Sequence, residues 1–299
     1  PGKAKPAKTE KVESDKAAKP VKPAKPVKPE PKAKCPSGND GKIVFKGDVL
    51  LAKEYIDTKT KKPNINPVGW WMSEKFDGYR SIWNGKGFIS RSGKPFAVPD
   101  WFSALMPPGT ALDGEFWIGR ECFEQCGIFR KKKPDTQEWI KNNVVYKVFD
   151  LPASPKPFEA RMEELKKIVE ERCKCKIRLK LPKAVVTVRC PLQFTEHVKV
   201  KNTKQVETLL KEVIDEGGEG LMLRQPGSYY EQKRSNTLRK VKATFDTECK
   251  IIGYKPGTGK YKDKLGSFKC ELLTKKGKPF FVSGMTDEIR DNYQKTHKK

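Results

Sequence analysis

The chain has 299 residues, 63 of them Lys or Arg and 37 Asp or Glu, which leaves a formal net charge of +26 at pH 7. Such an excess of positive charge points to a polyanionic partner. The 36% hydrophobic content can fill a core over most of the length, so a wholly disordered chain is excluded, and no apolar run approaches the roughly 18 residues of a membrane-spanning helix.

Residues 1–34 contain eleven Lys, seven Pro, four acidic residues and no aromatic one, and from Lys19 they run KPV-KPA-KPV-KPE. That composition cannot pack a core. It predicts a disordered basic tail over 1–40, extended as polyproline II, which could hold DNA phosphates without reading sequence or could be an inert linker. Beyond residue 34 there remain 52 basic and 33 acidic side chains, so the folded part is basic in its own right.

The segment EKFDGYR (74–80) follows the aromatic GWW and gathers Lys75, Asp77, Gly78 and Arg80. A lysine amine beside acids and a metal-bound phosphate can attack phosphorus once neighbouring cations or burial lower its pKa from the reference value of about 10.4. The bland alternative is a surface lysine before a glycine turn. SRSG (90–93) and LDGEF (112–116) come next, and VVYKVF (144–149) reads as a strand. Phe158, Met162, Leu165 and Ile168 have helical spacing, VVTVRC (185–190) is a further strand, and a second helix carries Val206, Leu209, Leu210, Val213 and Ile214 up to Gly217-Gly218. LMLR (221–224) reads as a strand, followed by LRKVK (238–242). After Lys242, DTECKIIGY (246–254), SFKCELL (267–273) and PFFVS (279–283) suggest a small antiparallel unit joined by tight turns, then the helix-like TDEIRDNYQK (286–295). Eight cysteines without a C-x-x-C repeat and only two histidines, His197 and His297, argue for reduced thiols and against a disulfide scaffold or zinc site. Cys122 with Cys126 and Cys173 with Cys175 are the conceivable redox pairs.

K-x-D-G-x-R at Lys75, then SRSG, LDGEF, KVFD (147–150), EGLMLR (219–224) and LRKVK form an ordered series. It resembles the covalent nucleotidyltransferase superfamily of ATP-dependent DNA ligases, capping enzymes and RNA ligases, and over roughly 48–290 it is most similar to the small ATP-dependent DNA ligases. The resemblance implies an α+β fold: an adenylation (nucleotidyltransferase) domain over 41–243, then a small all-β OB-fold domain over 244–299. It implies Lys75 as the nucleophile that takes AMP from ATP, with Asp77, Lys240 and Lys242 as further catalytic residues. Ser73, Arg80, Glu115, Phe149 and Met222 would bind the nucleotide: Arg80 and Glu115 at the ribose hydroxyls, Phe149 and Met222 on the two faces of adenine. Glu219 would hold Mg²⁺, for which Mn²⁺ could substitute, and Arg91 would meet the 5′-phosphate at the nick. Read from residue type alone, Phe149 and Met222 could equally be core, Glu115 and Glu219 turn carboxylates, and Lys240 with Lys242 the wet face of a strand.

The implied activity is the sealing of 5′-phosphate/3′-hydroxyl nicks in duplex DNA by an intracellular monomer with no membrane association. RNA ligation, capping guanylyltransfer or non-catalytic DNA binding are the alternatives. Two departures stand out. The family's basic C-terminal motif has no evident match, and 246–299 is short for a five-stranded barrel. The KKGK turn leaves no room for the long DNA-clasping hairpin that some small ligases carry, so the basic surfaces would provide the grip, or else the segment 119–143 with its IFRKKK run.

Overall fold

The computed structural model describes residues 42–175, 177–181, 184–243, 247–273 and 277–296; the basic tail expected over 1–40 lies outside them. The chain opens with β1 (Leu51–Glu54), β2 (Trp71–Lys75), β3 (Tyr79–Asn84), β4 (Phe88–Ser90) and the short α1 (Asp100–Ser103). Then come β5 (Ala111–Trp117), α2 (Thr136–Lys141), β6 (Val145–Asp150), α3 (Phe158–Cys173), β7 (Ile177–Leu181) and β8 (Ala184–Val188). β9 (Leu192–Phe194), β10 (Val198–Lys199), α4 (Thr203–Asp215), β11 (Gly220–Arg224) and β12 (Arg234–Lys242) complete the larger unit. β13 (Cys249–Pro256), β14 (Leu265–Leu272), β15 (Phe280–Val282) and α5 (Asp287–Thr296) follow. The two helices read from spacing are therefore α3 and α4, and the apolar runs read as strands are β6, β8 and β11; β7, α1 and several other short elements were not legible.

Two five-stranded sheets organise residues 51–242, one in the order β1-β12-β11-β2-β10 and the other β4-β3-β5-β6-β9. Both are mixed: β1 runs parallel to β12 and β9 parallel to β6, and the remaining pairs are antiparallel. Side chains on a strand alternate between faces, so each sheet gives one face to a hydrophobic layer and the other to the space between the sheets. In the first sheet Met72, Leu221, Leu223 and Val241 pack with Val206 and Val213 of α4. In the second, Trp83, Leu112, Phe116, Tyr146 and Val148 join Trp101, Phe102, Trp139 and Leu165 in an aromatic-rich core. The opposite faces carry Ser73, Lys75, Arg80, Glu115, Phe149, Met222, Lys240 and Lys242, and these line a common cavity.

Two glycines are required by close approach. A Cβ on Gly78 would collide with the Phe116 carbonyl of β5, and one on Gly220, at φ +149°, with the Val241 carbonyl of β12. The first fixes the turn that follows Lys75; the second lets β11 lie close between β2 and β12. Helix α4 starts at Asn202, whose side chain accepts from Gln205 N, and ends before Gly217 at φ +79°.

Residues 249–296 form a separate three-stranded antiparallel sheet in the order β13-β14-β15. Leu265, Phe268 and Cys270 make its small core, covered by Met285, Ile289 and Tyr293. Arg290 of α5 ties the helix down by donating to the carbonyls of Leu265, Gly266 and Ser283. The turn between β14 and β15 lies partly outside the described residues, as does the junction at 244–246.

The cysteines depart from the expectation. Cys173 does not pair with Cys175; it forms a disulfide with Cys190, 17 positions on. The antiparallel β7–β8 hairpin turns the chain back so that the end of α3 meets the approach to β9, a proximity that spacing alone could not show. Cys122 and Cys126 remain free thiols.

Candidate active site

Between the two sheets lies a cavity of about 340 Å³, lined from β1, β2, β3, β5, β6, β11 and β12 and from the segment after β9. Strand register sets its long axis. Gly220 of β11 stands opposite Lys75 and Lys242, Met222 opposite Ser73 and Lys240, and Arg224 opposite Trp71 and Leu238. The Lys75 end and the Arg224 end are thus four strand residues apart, about 13 Å at 3.3 Å per residue.

At the first end, Glu219 is held between two lysines. Lys75 Nζ donates to its Oε2, and Lys242 Nζ pairs with its Oε1. Burial acts to raise the Glu219 carboxyl, but the bonds from Lys242 and Lys75 outweigh it and leave its pKa below the ordinary value. Asp77 responds the other way: burial and then the negative Glu219 raise its carboxyl, against Lys75 and Lys242. Lys240 pairs with Glu54 of β1 at 2.8 Å.

In the middle, Arg80 of β3 forms a two-pronged pair with Asp113 of β5, Nε to Oδ1 at 3.0 Å and Nη2 to Oδ2 at 2.6 Å. Tyr230 Oη adds a bond to Asp113 Oδ2 at 2.7 Å and accepts from Leu50 N. Arg80 thereby lies over the Phe149 ring, 5.4 Å from its centroid. Glu115 is in register with Arg80, and burial pushes its carboxyl up to about 8, against the pull of Arg80 and Lys75. Phe149 and Met222 both face the cavity half-buried, Phe149 from the second sheet and Met222 from the first. Arg91, exposed in the turn after β4, borders the same cavity.

Lys147 lies beside the segment that carries the nucleophile candidate. Its ammonium sits 5.3 Å from the Phe76 ring and 5.0 Å from that of Trp117, and burial lowers its pKa. This cation–π sandwich anchors the residue that follows Lys75.

The far end was not foreseen from sequence. Asp150 is fully buried and accepts from Arg161 Nε at 2.6 Å and pairs with Arg224 Nη2 at 2.8 Å. Burial acts to raise Asp150, and Arg224 and Arg161 more than offset it. Thr195, His197 and Arg224 line the cavity there. Asp150 closes the KVFD motif and Arg224 the EGLMLR motif, but neither motif carried a signal that the two side chains would meet.

The cavity thus brings together Ser73, Lys75, Arg80, Arg91, Glu115, Phe149, Met222, Lys240 and Lys242, with Glu219 joined to it through its lysine partners and Asp77 electrostatically coupled to the same pair. No group of three or more His, Cys, Asp or Glu side chains able to hold a metal by themselves occurs among the described residues.

Residues 50–242 match the family described as the ATP dependent DNA ligase domain. A DNA ligase of Haemophilus influenzae is 31% identical over 226 residues, which are 75% of this chain and 74% of that protein. A solved structure from a structure–function study of DNA binding by Lig E DNA ligases, described as a minimal scaffold, superposes with a TM-score of 0.68 at 29% identity. It covers 83% of this chain and 88% of its own. Chlorella virus DNA ligase-adenylate shares the fold at a TM-score of 0.50 and 20% identity, over 84% of this chain and 87% of that one.

Proposed function

The chain belongs to the ATP-dependent DNA ligases, and from that premise we propose that it seals 5′-phosphate/3′-hydroxyl nicks in duplex DNA through an AMP adduct on Lys75. The observation that carries this reading is the position of Lys75: it ends β2 inside the cavity, hydrogen-bonded to Glu219 and in register with Gly220 of β11. Its amine attacks the α-phosphorus of ATP; an N–P bond forms, the bond to pyrophosphate breaks, and the amine gives up its proton. The DNA 5′-phosphate then displaces Lys75 from AMP, and the 3′-hydroxyl displaces AMP from the 5′-phosphate. One site serves all three displacements at phosphorus because the charge that develops is of the same kind each time.

The remaining residues position and neutralise. Phe149 and Met222 hold the adenine between them, and Arg80, fixed by Asp113, and Glu115 stand at the ribose hydroxyls, with Ser73 beside them. Lys242 and Lys240 balance phosphate charge, which requires each to exchange a carboxylate for a phosphate: Lys242 leaves Glu219 and Lys240 leaves Glu54. Arg91 meets the 5′-phosphate from the rim. Mg²⁺ characteristically takes one or two carboxylates together with substrate phosphates and waters, so Glu219 with neighbouring Asp77 fits it without a complete protein cage. When bound, the ion neutralises the phosphates. The OB-fold reading belongs to residues 244–299, whose antiparallel sheet β13-β14-β15 supports it, after an adenylation domain over 41–243. The protein works as a monomer on nicked duplex.

Incubation with labelled ATP and Mg²⁺ tests the centre of this reading. Wild type should acquire acid-labile AMP that pyrophosphate removes, and should join a 5′-phosphorylated nick; Lys75→Ala should do neither. Equal labelling of the variant would remove Lys75 from the role.

A further inference from the structure

The β7–β8 hairpin contributes no residue to the cavity lining, yet its two faces differ in kind. Ile177 and Leu179 of β7 are buried in the aromatic-rich core, and Leu181 and Val188 pack beside them. Because side chains alternate along a strand, Arg178 and Lys180 of β7 and Val185 and Thr187 of β8 point away from that core, and all four are exposed. Register sets Arg178 opposite Thr187 and Lys180 opposite Val185. Arg189, one residue past the end of β8, is exposed as well.

This outer face holds positive charge without its counterpart. Arg178 and Lys180 are two residues apart on one strand, about 6.6 Å, and Arg189 lies diagonally from Arg178 at roughly 7–8 Å. Neither strand contains an acidic residue, and among the described residues none of the three cations forms an ion pair. By contrast, Lys156 and Lys166 nearby are paired with Glu164 and Glu196. Like charges so close on a strand pair destabilise it, and a bound anion removes that cost.

Register also shows where the hairpin stands. Tyr79, Phe116, Tyr146 and Leu192 form one row across β3, β5, β6 and β9. The hairpin joins β9 at Leu192, so it flanks the second sheet at the end where β3 follows the Lys75 turn. Arg91 leaves β4 at that same end, since Ser90 pairs with Ser81 of β3. Four inter-strand steps separate β4 from β9, about 19 Å, a distance that duplex DNA covers in roughly five or six base pairs.

We infer that Arg178, Lys180 and Arg189 on the outer face of the hairpin hold the phosphate backbone of the duplex on one side of the nick, several base pairs from it. The inference rests on the substrate proposed above, with the nick at the Lys75 and Arg91 end. Guanidinium groups take phosphate oxygens two at a time and an ammonium adds a point charge, contacts that position a duplex without reading its sequence. Val185 is the single large apolar side chain on this face. A protein partner would call for a cluster of apolar anchors at the centre of its interface, so the face suits a polyanion instead.

The test measures binding of the full chain to a nicked duplex whose 3′ end at the nick lacks the hydroxyl, so that no sealing occurs. Wild type and Arg178→Gln/Lys180→Gln/Arg189→Gln are compared over a range of salt concentrations, with both flanks long or with either flank cut shorter than the reach to the hairpin. The variant should show a salt slope shallower by roughly 2–3 units, at nearly one unit per phosphate released. Wild type should lose affinity when one particular flank is cut, and the variant should be indifferent to that cut. Lysyl-AMP formation from ATP without DNA should be equal in both, which shows that the fold and the Lys75 site are intact. Each single variant should remove about one unit of slope, which keeps the measurement decisive if the triple variant unfolds, and Arg178→Lys should retain it. An unchanged slope, or a loss of affinity equal on long and cut flanks, would overturn the inference while leaving the proposed substrate in place. Failure of wild type to bind nicked duplex at all would overturn the proposed substrate, and the role of the hairpin with it.

Discussion

Glu115 and Arg80 face each other across β3 and β5, yet Asp113 has already taken the guanidinium in a two-pronged pair, so burial prevails at Glu115 and pushes its carboxyl up to about 8. In the unfolded chain the same group titrates at its ordinary value, near 4.3. Between those two values the folded state binds the proton and the unfolded state does not, so stability falls as pH rises through that window and levels off above it. Glu115→Gln should flatten this slope. Melting temperatures taken from pH 5 to pH 9 should show the variant gaining on wild type by several degrees, on the order expected for a few kcal/mol in a domain of this size. Parallel curves would mean that Glu115 is ionised in the folded protein. At the opposite side of the cavity the carboxylate is a structural keystone: Asp150→Ala would leave Arg161 and Arg224 buried without their anion. A loss of roughly 3–5 kcal/mol, read from urea unfolding, is the expected outcome.

At the level of elements, the excursion from the end of α3 through the β7–β8 hairpin to β9 is the segment that sequence left most open. Helix α3 packs on β9 and β6, and the disulfide Cys173–Cys190 closes the loop that carries the hairpin. Closing a loop of this length stabilises by roughly 3 kcal/mol, chiefly by restricting the unfolded chain. Disulfides persist in oxidising compartments and are rare in the cytosol, so this bridge and an intracellular place of work pull in opposite directions. Dithiothreitol and the Cys173→Ser/Cys190→Ser variant should lower the melting temperature by the same amount, and reductant should have no further effect on the variant. A wild-type melting temperature indifferent to reductant would show that the two thiols stay reduced. Because β9 leads directly into Thr195 and His197, loosening the bridge should also weaken ATP binding more than it weakens DNA binding.

On the scale of the whole molecule, charge should determine how DNA is gripped. With a net charge of +26 spread over a tail and a basic body, binding should follow counterion release, log affinity falling with log salt by nearly one unit for every phosphate neutralised. The tail holds eleven lysines within residues 1–34. A protein lacking residues 1–40 should therefore seal nicks at low salt with little loss, bind nicked duplex more weakly at physiological salt, and show a shallower salt slope. An unchanged slope would assign the tail no contact with DNA. A footprint on nicked duplex addresses the body: protection confined to one face of the helix is expected from a second unit whose β14–β15 connection is only seven residues long, from Leu273 to Pro279.

What the sequence determined by itself was everything encoded locally. Short runs rich in β-branched and apolar residues between turn signals marked β6, β8 and β11, and helical spacing marked α3 and α4, because a helix with one buried face needs an apolar residue at every third or fourth position. The ordered motifs identified the residues at the Lys75 end and middle of the cavity, since each is a short run on one strand or turn and carries its chemistry within it. What only the tertiary structure decided were relations between distant residues. Glu219 bridges Lys75 and Lys242, 144 positions separating it from the first, because β11 lies between β2 and β12. The engagement of Arg80 by Asp113, the Cys173–Cys190 bridge and the meeting of Thr195, His197 and Arg224 at one end of the cavity likewise depend on which strands pair and in what register. Pairing is settled by non-local burial of whole faces, which weighs all strands together, and a single stretch of sequence holds only one side of each such contact.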